Sequence, residues 1–98
     1  MHLVALPYRI FETDSFLKEF RKHVAPSEHA RVLKKLRERV YPQLKEEPHY
    51  GAHIKKLHDY APDAWRYRIG DLRLFYSLDE ETKVIILTAI RARKDAYR

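Results

Sequence analysis

Residues 65–98 read WRYRIGDLRLFYSLDEETKVIILTAIRARKDAYR. Trp65, Tyr67 and Ile69 alternate with Arg66 and Arg68. Beyond Gly70-Asp71, Leu72, Leu74, Tyr76 and Leu78 alternate with Arg73, Phe75 and Ser77. Period-two alternation of aromatic and branched side chains is the pattern of strands with one buried face. A Gly-Asp pair between two such runs makes a two-residue hairpin loop. That loop length fixes the register: Ile69 faces Leu72, and Arg68 faces Arg73. Side chains change face at every residue. Trp65, Tyr67, Ile69, Leu72, Leu74 and Tyr76 therefore share one face, and Arg66, Arg68 and Arg73 share the other. Like charges directly opposite on a hairpin are destabilising, yet no carboxylate stands at those places. An anion from outside completes the arrangement, and phosphate suits the planar arginine fork.

Outward from the hairpin, Asp79 to Thr82 make a turn and Lys83 to Ile90 form a last strand. Val84, Ile85, Ile86 and Leu87 make that strand apolar on both faces, so it is central or covered on both sides. A basic tail, Arg91 to Arg98, ends in Ala96-Tyr97-Arg98. Towards the N-terminus, residues 3–12 read as a first strand with Pro7 at its start or edge. Thr13 or Asp14 caps a helix from about Ser15 to His23. Ser27 caps a second helix, whose apolar stripe is Ala30, Leu33, Leu36, Val40 and Leu44. Pro42 kinks or ends it near Tyr41. Its charged residues (Arg31, Lys34, Lys35, Arg37, Glu38, Arg39) form either a solvated face or a grip on nucleic acid or ribosomal RNA. Residues 52–57 form a short strand, on which Lys55 or Lys56 points to the arginine face. The order is β-α-α-β-β-β-β, an α+β fold. A helical hairpin covers one face of a mostly antiparallel, four-stranded sheet and leaves the arginine face open.

The chain has 98 residues, 45% hydrophobic and 35% charged, with formal net charge +6. That is one folded domain, 1–98, with a preference for polyanionic partners. Cysteine is absent, which removes disulfides, a thiolate nucleophile and thiolate metal sites. No apolar run approaches the roughly 20 residues that span a bilayer, and the N-terminal residues lack the form of a signal peptide. A soluble, cytoplasmic protein is expected. His49, His53 and His58 straddle a Pro- and Gly-containing turn, so they read as surface residues, not metal ligands. Trp65 and Tyr67 read as core, not as a nucleobase platform, because they share a face with Leu72 and Leu74.

Element order, the Gly70-Asp71-Leu72-Arg73 turn and the Arg93-Lys94-Asp95-Ala96-Tyr97 ending together resemble the RelE/ParE superfamily, the toxins of type II toxin–antitoxin systems. The resemblance runs the length of the chain and is most specific over residues 65–98. In its RelE branch it implies a ribosome-dependent messenger RNA endonuclease that needs no metal or cofactor. The RNA 2′-hydroxyl attacks the adjacent phosphorus, and basic side chains stabilise the charged transition state. The resemblance assigns catalytic roles to Arg73, Arg91, Arg93 and Tyr97. It assigns RNA or phosphate binding to Arg66 and Arg68, with Lys55 and Lys56 as secondary candidates.

It further implies a cognate antitoxin, the ribosome and mRNA as partners, and no membrane. Tyr97 either transfers a proton or stacks on and orients the RNA; clustered cations lower a phenol's pKa from its usual value of about 10. Many members carry a histidine just before the Arg-Lys-Asp segment, where this chain has Ala92. Two other functions fit the same fold. One is ParE-like inhibition of DNA gyrase, against which Arg73 and Tyr97 argue. The other is non-catalytic binding, which Ala92 favours.

Overall fold

In the computed structural model, which describes residues 7–58 and 63–92, the chain runs in this order. Strand β1 is Arg9–Glu12, followed by helices α1 (Asp14–His23), α2 (His29–Lys35) and α3 (Tyr41–Glu46). Strands β2 (Ile54–Leu57), β3 (Ala64–Ile69), β4 (Leu72–Asp79) and β5 (Val84–Ala92) follow. The sheet is five-stranded, ordered β1-β5-β4-β3-β2. The expected antiparallel group of four is present, and the N-terminal strand joins it along β5 in parallel, from Arg9 beside Val84 to Glu12 beside Leu87. A parallel neighbour requires a long crossover, which the helices and the intervening strands provide. Of the expected first strand, residues 3–6 lie outside the described residues.

Thr13 caps α1 as its sequence position suggests. Its Oγ1 accepts the Phe16 amide at 3.0 Å and donates to the Leu87 carbonyl at 2.6 Å, so the cap also fastens the helix to β5. Asp14 in the first turn and Arg21, Lys22 and His23 in the last suit the helix dipole. The expected Ser27 cap is not made. Pro26–Glu28 form a 3₁₀ turn, and α2 starts at His29 with no side-chain cap. Proline pre-sets the first turn, and the His29 imidazole Nε2 lies 2.7 Å from the Val24 carbonyl, tying the loop instead. Ala30 lies within α2 but is exposed, and Val32 takes its place in the buried stripe, four residues before Leu36 and in line with Val40 and Leu44.

Pro42 does not end the second helix. Leu36–Val40 form a π-turn in which the Tyr41 amide reaches the Leu36 carbonyl, and α3 continues to Glu46. In an α-helix the proline ring would clash with the carbonyl four residues back. The wide turn opens the ladder directly ahead of the ring.

Helices and sheet meet over the hairpin's aromatic face. Trp65, Tyr67, Ile69, Leu74 and Tyr76 are buried with Phe16, Phe20, Leu36, Leu44, Ile85, Leu87 and Ile90. Trp65 stacks on Tyr76 at 6.2 Å between ring centroids, so its role is core packing. The buried phenols find acceptors: Tyr67 donates to Gln43 Oε1 and Tyr76 to the Pro48 carbonyl, both at 2.6 Å.

A bulge in β5 decides which face its last residues occupy. Phe75 lies opposite Ala89 and Tyr76 opposite Leu87, which leaves Thr88 without a counterpart. Strict alternation from Ile85 and Leu87 would carry Arg91 to the core side. One extra residue reverses the parity, so Ile90 stays in the core and Arg91 turns outward.

The far end of the sheet is closed by a polar clamp. His49 Nδ1 lies 2.8 Å from Glu47 Oε2, and His49 Nε2 lies 2.6 Å from Glu80 Oε1. Tyr8 donates to the other Glu80 oxygen at 2.7 Å. Burial pulls the imidazole pKa down, but the hydrogen bonds to Glu80 and Glu47 outweigh it, and the net shift is upward from 6.5. Hydrogen bonds hold both glutamates below the usual 4.5. The histidine's contribution is complete below its unfolded pKa and is lost as pH rises through the raised folded value. The glutamates' contribution is present above their unfolded pKa and is lost as pH falls. The stability difference between the wild type and His49→Gln is therefore largest between about pH 4.5 and 6.5 and shrinks on either side. Urea unfolding across pH measures it; a difference that does not vary with pH contradicts the clamp.

Candidate RNA-binding site

The hairpin register places Arg68 opposite Arg73, and the bulged β4–β5 register places Arg73 opposite Arg91. Three arginines thus stand in one row across three adjacent strands, each strand about 4.8 Å from the next. A second row runs beside it: Lys55, Arg66, Phe75 and Ala89. Both rows lie on the face away from the helices.

Arg73, at the centre, is only 3% exposed. Its Nη1 donates to the carbonyls of Gly70 (3.0 Å) and Leu72 (3.1 Å), while its buried Nε has no partner among the described residues. Arg66 is half-buried and Arg68 exposed. None of these three forms an ion pair with the protein's own acids among the described residues. A buried cation without a counter-ion costs free energy, which fits a place that an external anion fills.

Arg91 differs. Its Nε and one Nη bond the two oxygens of Glu19 on α1, at 3.1 and 3.2 Å, and its guanidinium lies 5.7 Å from the centre of the Phe75 ring. Glu19 Oε2 is also 3.6 Å from His23 Nε2. This arginine belongs to the row and, unlike Arg66, Arg68 and Arg73, is paired from within. The two lysines separate as well. Lys55 pairs with Arg66 on the arginine face, whereas Lys56 pairs with Trp65 on the other. Lys56 Nζ lies 5.5 Å from the Trp65 ring centre and 3.3 Å from Asp63, so Lys56 leaves the candidate set. Arg93 and Tyr97 lie outside the described residues. Ala92 pairs with Leu72 and shares its face, turned from the arginine row.

Two residues enter the site that the sequence alone does not single out. Phe75 carries a signal, because its parity in the alternation puts it among the arginines. Glu19 carries none: its bond to Arg91 spans 72 positions. Among the described residues no group of three or more His, Asp or Glu converges as metal ligands, and no helix is long and apolar enough to cross a membrane.

The family model for the ParE toxin of type II toxin–antitoxin systems matches residues 10–97. No curated protein matches the chain. Solved structures share its fold. The RelBE2 toxin–antitoxin complex from Mycobacterium tuberculosis superposes with TM-score 0.68 at 23% identity, over 90% of this chain and 100% of that one. The RelE–RelB complex from Pyrococcus horikoshii OT3 gives 0.66 at 24% identity, over 93% and 100%. The isolated RelE toxin of E. coli gives 0.63 at 23% identity, over 92% and 88%.

Proposed function

We propose that this chain, which belongs to the ParE toxin family of type II toxin–antitoxin systems within the RelE/ParE superfamily, cuts messenger RNA on the ribosome. The observation that carries the reading is the arginine row, with Arg73 buried at its centre and no carboxylate paired with it among the described residues. The 2′-oxygen bonds to the neighbouring phosphorus, the bond from phosphorus to the 5′-oxygen breaks, and a 2′,3′-cyclic phosphate and a 5′-hydroxyl result. The 2′-proton passes to a base, and the departing 5′-oxygen takes a proton. Phosphoryl transfer of this kind needs placement and charge stabilisation more than a protein nucleophile. Arg73 and Arg68 face the charge that develops on the phosphate oxygens, Arg91 and Arg93 add to it, and Arg66 and Lys55 bind the flanking backbone. Tyr97 orients the 2′-hydroxyl or transfers its proton. No metal or cofactor enters these steps.

The partner is a cognate antitoxin whose acidic segment covers the arginine face. The neighbours from M. tuberculosis and P. horikoshii are themselves toxin–antitoxin complexes. Such a substrate places the protein in the cytoplasm. One observation favours a second reading: the matching family model is that of ParE, and ParE-like inhibition of DNA gyrase would use the fold without cutting RNA. The two part in a paired assay. Ribosome-bound message is cut in the presence of EDTA and gyrase supercoiling continues, if the nuclease reading is right. Intact message together with blocked supercoiling overturns it in favour of the second.

A further inference from the structure

Beside the arginine row lies a groove of about 320 Å³, whose lining includes Lys35, Arg39, Gln43, His53, Tyr67 and Arg68. Its charged walls are all cationic: Lys35 from the end of α2, Arg39 from the π-turn, and Arg68 from β3. Among the described residues no carboxylate lines it, and none of these three cations has an ion pair there. Lys35 and Arg39 stand four residues apart on one helical flank, where like charges repel. The cationic stripe continues one step back to Arg31, which is answered by Glu28.

The floor is rigid. Gln43 accepts from the Tyr67 hydroxyl at 2.6 Å and donates to the Ala52 carbonyl at 3.2 Å. His53 overhangs it with a left-handed backbone (φ 73°), its carbonyl held by the Arg68 amide at 2.9 Å and its ring 5.8 Å from that of Tyr67. A non-glycine residue held at positive φ is a strained arrangement of the kind that gathers at ligand sites. It presents an exposed imidazole ring next to three cations.

We propose that this groove is a second nucleotide site, separate from the scissile one, that holds a flanking phosphate of the bound RNA between Lys35, Arg39 and Arg68. His53 offers its ring to the adjoining base. Arg68 belongs to both the row and the groove, so the RNA strand passes from one to the other around the hairpin end of the sheet. This inference rests on the RNA reading of the arginine face and adds the direction the strand takes from it.

The test uses 2′-O-methylated RNA, which binds without being cut, in a dinucleotide and in a longer oligonucleotide. Lys35→Ala/Arg39→Ala is compared with the charge-matched Lys18→Ala/Lys22→Ala on α1. For the longer RNA, the groove variant should lower the slope of log affinity against log salt by about 1.4, which is about 0.7 for each cation removed from the phosphate backbone. The dinucleotide should bind the wild type and the groove variant alike. Equal behaviour of the two double variants on the longer RNA overturns the groove while sparing the arginine face. Failure of the RNA to bind the wild type, both free and on the ribosome, overturns both. If the groove variant binds RNA normally but loses an acidic antitoxin peptide, the groove is an antitoxin site and the proposal fails.

Discussion

Arg73→Met lowers the rate of RNA cutting by about 10²–10³ and at the same time raises the temperature of unfolding. The first effect follows from position. Arg73 is the central member of a three-strand row of arginines, flanked by Arg68 and Arg91. Removing one donor preorganised towards developing charge costs about that factor. The second effect follows from burial. At 3% exposure, with Nε unpartnered and no acid paired with it among the described residues, this guanidinium carries the cost of a buried unsatisfied donor, about 1–3 kcal/mol. Methionine fills similar space without a charge. The two bonds from Nη1 to the Gly70 and Leu72 carbonyls disappear, so the net gain is smaller than the full penalty. A gain of about 1 kcal/mol corresponds to about 4–8 °C in a domain of this size. Thermal unfolding and single-turnover cleavage of the same preparation measure both effects. Joint loss of stability and activity would make Arg73 a structural arginine, and the row would lose its centre.

Glu19→Gln lowers kcat by up to about 10² while tightening the binding of uncleavable RNA. Glu19 is a positioning residue: it grips Arg91 through two bonds while Phe75 lies against the guanidinium. Loosening a positioned group by about 1 Å can cost 10²-fold in rate. Removing one negative charge from a cationic face attracts RNA more strongly. A purely structural glutamate would weaken both quantities, and a purely repulsive one would improve both when removed. In an Arg91→Ala background the same substitution should change kcat no further, because the partner it positions is gone. Fully additive losses contradict the role.

The hairpin is legible from residues alone because a two-residue loop and a period-two alternation leave one register. Ile69 opposite Leu72 and Arg68 opposite Arg73 follow from those two features, and the structure has both pairs. The Thr13 cap is equally local. What escapes is non-local or parity-breaking. The bulge at Thr88 inverts the faces of Ala89 to Ala92, and no residue there marks it, since Thr88-Ala89 suits a regular strand. The parallel seat of β1 on β5 depends on packing across the whole chain. Leu44 in the apolar stripe points to a further turn beyond Pro42, but the π-turn that carries the helix there is not announced by sequence periodicity. Lys55 and Lys56 separate only once Trp65 is seen opposite Lys56. The Glu19 partner of Arg91 arises from helix docking, which brings together residues far apart in sequence.

The most direct test is a structure of this protein with a 2′-O-methylated RNA trinucleotide. The account predicts a backbone phosphate over the row, with non-bridging oxygens about 2.7–2.9 Å from guanidinium nitrogens of Arg68 or Arg73, the spacing of charge-assisted bonds. RNA bound elsewhere on the molecule, with the row untouched, would contradict it.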